Sequence, residues 1–571
     1  MKVPYGIKDF KSIRKQNFIF VDKTRYIETL EKMEQYMLFL RPRRFGKTLF
    51  TSVLEYYYDI LYKEEFDELF RGLYIGEHKT ENANSYQVLR FDFSGIETDL
   101  SNIKKNFANC VKIHLKGFVD THKLDIKIDM DSDDSSSILR AFLENYKITL
   151  DKKIFLIIDE YDHFANDVLS DDRGFFNHMT SKDGFVRKFY EVFKIYTGNV
   201  IERIFITGVT TITLDSLTSG FNISRNIGNR DELNEMIGFT EEEVRCLLRE
   251  CCIDEKYIEI LQEYYNGYLF SSEGTKKVYN SNLLMYFLIE YNRKKKVPKN
   301  LIDSNVISDY TKITKLFDLY EDEVDRKVII EDIVSGNPLI GIIKDNIGPL
   351  VKVSNNVEDE KRLGFTRNDF ISLLYYLGLL TISGSVGLEV SLTPPNYCIS
   401  SVYSKYYLSY LYQMMNAGYV MEKEIGAAMR DLTMKNDLTK FKDIVEKMLR
   451  GIGSQDYIEF DEKYVKLMMY SVASYSEAYL IKTEWWVENL RADLVLLPNY
   501  SVTMDNYYVF EVKYLKKKDY TEKALENERK KAVKQVIDYA NTEDMKNIPN
   551  LRKYVVIAVK DELKVFEEVI G

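Results

Sequence analysis

Histidine, cysteine and proline are scarce in this chain of 571 residues, which contains five, five and nine of them respectively. The cysteines form no CxxC pair and their number is odd, which is a poor basis for a disulfide framework. The histidines show no HExxH or other metal-ligand spacing, and none follows His178. These patterns argue against a zinc enzyme and a histidine-based triad. Chemistry in the C-terminal two thirds must use carboxylates, lysines, hydroxyls or a hard metal ion.

Long apolar segments are also lacking. The N-terminal residues have no apolar core typical of a signal peptide, and the longest apolar stretches, such as 373–382, are far shorter than the ~20 residues that span a bilayer. We therefore expect a soluble, cytoplasmic protein without a membrane partner. The hydrophobic fraction of 45% suffices for ordinary cores. The net charge of −10 argues against a chain coated in nucleic acid but leaves room for a local basic groove.

Strand-like and helical segments alternate through the first 210 residues. The apolar runs at 37–40, 87–93, 154–158 and 203–207 are typical of strands, and helical periodicity separates them. This alternation predicts an α/β domain with a mostly parallel sheet. From Thr240, which fits a capping box with Glu243, the pattern is mainly helical as far as about residue 451.

Residues 41–48 read RPRRFGKT and lie between a predicted strand and a predicted helix. A phosphate-binding loop has the pattern GxxxxGK[ST], which the last three residues match, whereas Arg41 replaces the first glycine. Backbone N–H groups at a helix N-terminus cradle phosphate oxygens, the lysine reaches the terminal phosphates, and the threonine hydroxyl ligates Mg²⁺. The pattern predicts ATP and Mg²⁺ as cofactors, bound by Arg44, Phe45, Gly46, Lys47, Thr48 and Leu49.

Asp159 and Glu160, at the end of the 154–158 run, form a second nucleotide motif. We expect Asp159 to hold Mg²⁺ and Glu160 to act as the catalytic base that polarises the attacking water. Alternatively, these acids mark only the end of a core strand. The strand between the two motifs suggests an ATPase branch that places an extra strand between the two motif strands.

Polar residues beyond the next strand are candidates for contact with the γ-phosphate. We assign this role to Thr210, with Thr207 and Thr211 as further candidates, although strand-end hydroxyls need no such role. Arg225 and Arg230 are candidates for an arginine finger, or are ordinary surface arginines.

Several of these segments resemble the AAA-ATPase-like family of bacteria, a relative of the archaeal-type ATPases. They read YGIKDFKSIRKQNFIFVDKTRYI, FLRPRRFGKTLF, LIIDEYD, ITGVTTI and GFTEEEV. That family commonly has RPRRFGKT as its phosphate loop, so Arg41 looks like a family variant. YYNGYLF (264–270) and VYNSNLL (278–284) resemble family motifs in a helical lid, although helix termination at Asn266-Gly267 alone would explain the first. The resemblance covers about residues 4–290 and implies a P-loop ATPase domain (1–238) and a lid (239–300).

The C-terminal block carries Asp493, Glu511 and Lys513 on two predicted strands. Glu511 and Lys513 are two residues apart and share one face, and a hairpin would place Asp493 beside Glu511. Two carboxylates and a lysine suit a Mg²⁺ site, in which the acids ligate the cation and the lysine assists water attack on a phosphodiester. Glu462 and Glu488 are candidates for a further carboxylate. Alternatively, Glu511 and Lys513 lie on a solvated strand edge.

This block resembles the PD-(D/E)XK nuclease superfamily in the segments RADLVLLP, YYVFEVKY and KAVKQVIDYA. The resemblance covers about residues 455–565. It implies that Asp493, Glu511 and Lys513 are catalytic and that Gln535, which shares a helix face with Tyr539, is the frequent helix glutamine. Leu490-Arg491 departs from the Gly-Arg of many relatives but touches no catalytic position.

Between the two modules we predict a mainly helical spacer domain (301–454), followed by the nuclease-like domain (455–571). The helix expected at 366–382 and the strand at 387–392 alternatively form a winged-helix-like piece that would bind DNA.

Together these features predict an α/β protein that binds and hydrolyses ATP and cleaves nucleic acid with Mg²⁺. DNA is the favoured substrate and RNA the alternative. The alternative is a nucleotide-gated switch that binds nucleic acid or a protein through an inactive nuclease fold. Assembly as a homo-oligomer is left open.

Overall fold

The computed structural model describes residues 2–149, 152–181, 183–211, 223–303, 317, 319–347, 365–414, 418–451, 460–476, 478–499 and 504–570. These residues form two compact units. The first contains described residues within 1–295, 312–322 and 340–396, and the second those within 296–311, 323–339 and 397–571.

Helices account for most of the described secondary structure. In chain order they are α1 (Phe10–Lys15), α2 (Tyr26–Glu31), α3 (Lys47–Tyr58), α4 (Phe66–Phe70), α5 (Tyr74–Glu77), α6 (Ile103–His122), α7 (Ser135–Thr149), α8 (His163–Asp171), α9 (Arg173–Thr180), α10 (Phe185–Tyr196), α11 (Glu241–Glu250), α12 (Ile258–Tyr265), α13 (Ser281–Lys294), α14 (Glu323–Val334), α15 (Arg367–Tyr376), α16 (Tyr397–Met414), α17 (Gly418–Lys435), α18 (Thr439–Gly451), α19 (Glu462–Ser474) and α20 (Glu522–Ala540). Among the described residues, none of these helices combines the length and the apolar character that crossing a membrane requires.

The strands fall into three sheets. In chain order they are β1 (Tyr36–Leu40), β2 (Gln87–Asp92), β3 (Ile154–Asp159), β4 (Ile201–Gly208), β5 (Arg225–Asn226), β6 (Leu339–Gly341), β7 (Thr381–Val386), β8 (Glu389–Thr393), β9 (Tyr479–Val487), β10 (Leu490–Pro498), β11 (Tyr507–Leu515), β12 (Leu551–Val559) and β13 (Glu562–Glu568).

The first unit is built on a parallel sheet with the order β2-β3-β4-β1-β5. The strands predicted at 37–40, 87–93, 154–158 and 203–207 are confirmed as β1 to β4, and every residue of β3 is buried, as expected for a parallel strand covered on both faces. One strand does separate the two motif strands β1 and β3, but it is β4. The strand that lies between the motifs in sequence, β2, is at the sheet edge. Crossover connections allow strands that follow each other in the chain to be non-adjacent in a parallel sheet.

Aromatic side chains fill the core beside β2. The ring of Phe107 on α6 lies 5.2 Å from that of Phe93 and 5.0 Å from that of Phe189 on α10, measured between centroids. Phe189 also meets Phe91 edge to face at 5.8 Å. Such pairs favour edge-to-face contact and fix the helices against the sheet.

The predicted capping box at α11 is confirmed, since the Thr240 hydroxyl accepts from the Glu243 N–H and the Glu243 carboxylate accepts from the Thr240 N–H. A second capping box, formed by Thr366 and Asp369, opens α15. The antiparallel hairpin β7–β8 then turns at Gly387, where φ is +64°. This hairpin contains no lysine or arginine, so its own charges give DNA binding no support.

The second unit contains a mixed sheet with the order β13-β12-β11-β10-β9. β10 is antiparallel to both β9 and β11, whereas β11 is parallel to β12. α20 makes the connection from β11 to β12, as a parallel pair requires. The predicted strands β10, β11 and β12 are confirmed, and β9 and β13 are two strands that the sequence patterns did not reveal.

Candidate functional site

The loop of residues 41–48, called the candidate phosphate loop below, joins β1 to α3. Two of its residues adopt positive φ, Arg44 at 68° and Gly46 at 101°. Gly46 is the N-cap of α3, and a residue with a Cβ would be strained there. Thr48 and Leu49 lie half-buried in the first turn of α3. The loop therefore presents a helix N-terminus, which suits an anion.

The side chain of Lys47 is folded into the candidate phosphate loop. Its Nζ donates to the carbonyl oxygens of Arg41 and Pro42, each at 3.1 Å, and lies 3.7 Å from Oε1 of Glu160. The residue is only 4% exposed. A buried ammonium held by two carbonyls and a carboxylate is a ready counter-charge for phosphate oxygens.

Asp159 ends β3 with a fully buried carboxylate that three side chains hold. Its Oδ1 accepts from the Thr207 hydroxyl at 2.6 Å, and its Oδ2 accepts from the Thr51 hydroxyl at 3.2 Å and from Nη2 of Arg90 at 3.1 Å. Glu160 follows with φ of 53°, a conformation that L-residues seldom adopt and that occurs often at functional sites.

Arg41, which replaces the first loop glycine, anchors the base of the loop. Its guanidinium donates to the carbonyl oxygens of Leu40 and Leu233, at 2.9 and 2.8 Å, and to that of Gly228. The guanidinium carbon also lies 4.1 Å from the ring centroid of Phe270. Burial lowers the pKa of Arg41 to about 9.

Residues of the 264–284 segment contact the candidate phosphate loop. The ring of Phe45 meets the ring of Tyr268 edge to face at 4.8 Å. The Ser281 hydroxyl donates to the Phe45 carbonyl at 2.8 Å, and the Asn282 N–H donates to the Arg44 carbonyl at 3.3 Å. The family resemblance placed these residues in a helical lid after the sheet but did not reveal that they contact the loop.

The three candidate threonines have different surroundings. Thr207 bonds the motif acid Asp159, as described above. Thr210 is fully buried, and both its N–H and its hydroxyl donate to Oδ2 of Asp162, at 2.7 and 3.0 Å. Thr211 has a buried hydroxyl with no hydrogen-bond partner among the described residues.

The two candidate arginine-finger residues share one partner. Arg225 Nη1 lies 3.2 Å from Oε1 of Glu34, and Arg230 contacts the same oxygen. Arg225 is 72% exposed and Arg230 is 25% exposed at the side chain.

The C-terminal candidate site lies where β10 pairs with β11. Leu494 pairs with Phe510, so the antiparallel register brings Asp493 opposite Glu511, as the hairpin prediction required. Oδ2 of Asp493 accepts from the Val512 N–H at 2.8 Å. The sequence pattern is thus correct about which carboxylates the sheet brings together.

Glu511 is buried, with 1% of its surface exposed. Lys513 Nζ lies 2.6 Å from its Oε1 as an ion pair, and the Tyr539 hydroxyl also contacts the carboxylate. Burial first, and then the charge of Asp493, raises the pKa of Glu511 to about 8. A carboxylate desolvated in this way is a strong acceptor for a cation.

Of the other residues that the sequence predicted near this site, Glu462 lies at it and Glu488 does not. Glu462 on α19 lies 3.6 Å from Lys513 Nζ, and burial together with the charge of Asp493 raises its pKa. Glu488 instead accepts from the Glu543 N–H at 2.9 Å. Gln535 Nε2 lies 3.5 Å from the Tyr539 hydroxyl, whose pKa is raised by burial and by Glu511.

Two residues at this site were not found from the sequence, Lys466 and Glu484. Lys466 Nζ lies 3.1 Å from Oδ1 of Asp493 and also contacts Glu484. Lys466 is four residues after Glu462 on one helix face, a spacing that could have revealed it. Glu484 gave no signal, because its strand β9 was not predicted.

The residues present fit Mg²⁺, although the described part of the chain holds no group of three His, Cys, Asp or Glu side chains in a metal-binding arrangement. Mg²⁺ binds typically through one or two carboxylates together with substrate phosphates and water. The buried carboxylate of Glu511, opposite Asp493 in the sheet, meets that need. Thr48 and Asp159 offer similar oxygen ligands beside the candidate phosphate loop.

Comparison with known proteins identifies two domains. Residues 4–218 match the family model described as a predicted AAA-ATPase, and residues 460–568 match that of the PD-(D/E)XK nuclease superfamily. Both resemblances inferred from the sequence are thereby confirmed.

A curated relative is an uncharacterized protein in the vnfD 5' region of Azotobacter chroococcum mcd 1, 27% identical over 290 residues. The match covers 50% of this chain and 52% of that protein, so the chain spans about half the length of the curated relative it matches.

Proposed function

We propose that this chain, which joins an AAA-ATPase-like domain to a PD-(D/E)XK nuclease superfamily domain, binds and hydrolyses ATP and cleaves nucleic acid with Mg²⁺. The observation that carries the nuclease assignment is the meeting of Asp493, Glu511 and Lys513 on β10 and β11, with the Glu511 carboxylate buried and paired with Lys513. Burying two carboxylates beside one lysine is costly unless a further cation or a proton compensates the remaining charge.

In the proposed nuclease reaction, Asp493 and Glu511 hold the metal and Lys513 acts on the phosphodiester. A bound Mg²⁺ supplies positive charge at the phosphate oxygens and a more acidic water. Burial lowers the pKa of Lys513, but the carboxylate of Glu511 outweighs that effect and raises the pKa above its usual value. Lys513 therefore stays charged at neutral pH, so it orients water and stabilises negative charge and does not accept the proton.

In the proposed ATPase reaction, the candidate phosphate loop binds the nucleotide. Lys47 leaves the carbonyls of Arg41 and Pro42 to contact the terminal phosphates, and Thr48 and Asp159 hold Mg²⁺. Glu160, next to Lys47, polarises the attacking water. The bonds from Thr51, Thr207 and Arg90 hold the Asp159 carboxylate in one orientation.

The second candidate function is a nucleotide-gated binding switch with an inactive nuclease fold. One observation favours it: Lys466 Nζ lies 3.1 Å from Oδ1 of Asp493, where it would hinder a metal from binding that oxygen. Such a protein would bind nucleic acid without cleaving it.

The test uses the full-length chain with end-labelled DNA and RNA, ATP, and Mg²⁺ or a chelator. We expect DNA cleavage that requires Mg²⁺ and is lost in Glu511→Gln, while that variant still hydrolyses ATP. We expect Lys47→Ala to lose ATP hydrolysis. Intact cleavage in Glu511→Gln would overturn the nuclease assignment, and Mg²⁺-dependent binding without any cleaved product would favour the switch.

A further inference from the structure

Lys466 lies among three carboxylates in the nuclease superfamily domain. Its Nζ is 3.3 Å from Oε1 of Glu462 and 3.1 Å from Oδ1 of Asp493, and it contacts Oε1 of Glu484. The carboxylates belong to α19, β9 and β10, and the lysine side chain is only 14% exposed. This arrangement differs from an ordinary surface pair of residues four apart, which joins two exposed side chains.

Both oxygens of Asp493 are engaged. Oδ2 accepts from the Val512 N–H at 2.8 Å, a bond within the sheet, and Oδ1 faces Lys466. Oδ1 has no backbone N–H partner among the described residues, and a metal that binds there meets the ammonium of Lys466. The lysine and the metal compete for one oxygen.

Glu484 already contacts the ammonium and can hold it after the ammonium leaves Oδ1 of Asp493. In the β9–β10 ladder Trp485 pairs with Ala492 and Thr483 with Leu494, while Glu484 itself takes φ of 49°. Glu484 thus lies opposite Asp493 with an irregular backbone, and its carboxylate contacts Lys466. Its other oxygen, Oε2, is held by Nε of Arg491 at 2.8 Å. Glu484 is thus fixed from its far side and can retain Lys466 alone.

We propose that Lys466 is a resident counter-ion of the nuclease site, which occupies Oδ1 of Asp493 in the metal-free protein and withdraws to Glu484 when a divalent cation binds. The inference rests on the proposed Mg²⁺-dependent nuclease function. Lys466 is then a positioning residue: it keeps the Asp493 carboxylate aligned before metal binding, and it sets the metal concentration at which the site fills.

The test measures Mn²⁺ binding to the nucleotide-free, full-length chain by the relaxation rate of water protons. Lys466→Met should bind Mn²⁺ about tenfold more tightly, within the range that changes of outer-shell partners produce. Lys466→Arg should bind it more weakly, because a planar guanidinium pairs with a carboxylate through two bonds and is harder to displace. If the lysine acted only through its net charge, Lys466→Arg would match the wild type, and that result would overturn the proposal.

Lys463→Met is the matched control on the same helix. Lys463 pairs with Asp332 at 2.6 Å and not with the site carboxylates, so its loss should leave the Mn²⁺ affinity unchanged. If Lys463→Met gained as much Mn²⁺ affinity as Lys466→Met, competition for Asp493 would not be the cause of the gain.

Glu484→Gln tests whether Glu484 holds the ammonium of Lys466 after it leaves Asp493. In the wild-type background it should weaken Mn²⁺ binding, and in the Lys466→Met background it should have little effect, because no ammonium remains to be retained. Equal weakening in both backgrounds would overturn the withdrawal to Glu484. If Lys466→Met does not fold, the neutral Lys466→Gln replaces it in the same comparison.

Glu511→Gln separates failure of this inference from failure of the proposed function. If Glu511→Gln leaves Mn²⁺ binding unchanged, the proposed metal site is wrong and the inference falls with it. If Glu511→Gln removes a binding site but neither Lys466 variant shifts the affinity, the counter-ion role alone is overturned.

Discussion

Oε1 of Glu160 lies 3.7 Å from Nζ of Lys47. The proposed catalytic base and the proposed phosphate ligand are therefore paired with each other before nucleotide binds. Glu160→Gln keeps the size of the side chain but removes the charge that polarises water. We expect the rate of ATP hydrolysis to fall by about 10²- to 10⁴-fold, with ATP binding retained. Steady-state hydrolysis and binding of a fluorescent ATP analogue measure the two effects.

Glu191→Gln is the control for this prediction. Glu191 is a half-exposed residue of α10 that pairs with Arg187 on the same helix, so its loss should not change ATP hydrolysis. Full hydrolysis by Glu160→Gln would contradict the role of Glu160 as the base.

Arg41→Lys should destabilise the first unit and weaken ATP binding. A lysine cannot supply the forked donors that reach the carbonyls of Gly228 and Leu233, and these buried acceptors would lose their partner. Leaving buried polar groups unpaired costs about 1–3 kcal/mol each, so we expect a loss of about 3 kcal/mol in the free energy of unfolding. Chemical denaturation and ATP titration check both effects.

Arg203→Lys is the matched control for that change. Arg203 also donates to backbone carbonyls, those of Leu30 and Glu31, but it is only half-buried. We expect it to lose about 1 kcal/mol at most and to keep its ATP affinity. If both variants behaved alike, Arg41 would have no special role at the base of the loop.

Gly378→Ala should displace Pro42 of the candidate phosphate loop, although Gly378 itself is not part of the loop. At Gly378, φ is +75° and an added Cβ would lie 2.7 Å from Cβ and Cγ of Pro42. Gly387 has φ of +64° and open space around its Cβ position. Gly387→Ala should therefore show only the backbone strain of about 1 kcal/mol. Gly378→Ala should add overpacking of about 1–3 kcal/mol and weaken ATP binding, which denaturation and ATP titration would detect. Equal ATP affinities in the two variants would contradict this prediction.

The sequence predicted well what depends on local pattern and strand register. The alternation of apolar runs predicted β1 to β4, and the expected hairpin between the last two predicted site strands placed Asp493 beside Glu511, as the β10–β11 register has them. The order of the parallel strands was harder to predict, because crossovers allow β4 and not β2 to separate the motif strands.

Contacts between distant segments could not be predicted from one sequence. The approach of Gly378 to Pro42, and that of Ser281 to the Phe45 carbonyl, join segments far apart in the chain. Glu484 depends on an irregular strand with a left-handed residue, and no periodic pattern signals that.

Glu511 should make the stability of the metal-free protein depend on pH. Its pKa rises from 4.5 to about 8 on folding, chiefly through burial. Between these values the folded protein keeps a proton that the unfolded chain has lost, so the stability contributed by Glu511 falls as pH rises from about 4.5 to about 8. Glu511→Gln resembles the protonated acid and removes this dependence. We expect the melting temperature of Glu511→Gln, relative to wild type, to be higher at pH 8.5 than at pH 5.5 in a chelator.

The exposed Glu488 provides the control, because its carboxylate bonds the Glu543 N–H outside the site. The melting temperature of Glu488→Gln relative to wild type should not change between the two pH values. Adding Mn²⁺ at pH 8.5 should stabilise the wild type and not Glu511→Gln, since a bound cation compensates the buried charge that the proton compensates at low pH. The melting temperature of Glu511→Gln relative to wild type could instead be the same at both pH values. That result would show that Glu511 is already ionised at pH 5.5, and hence that burial does not govern its protonation.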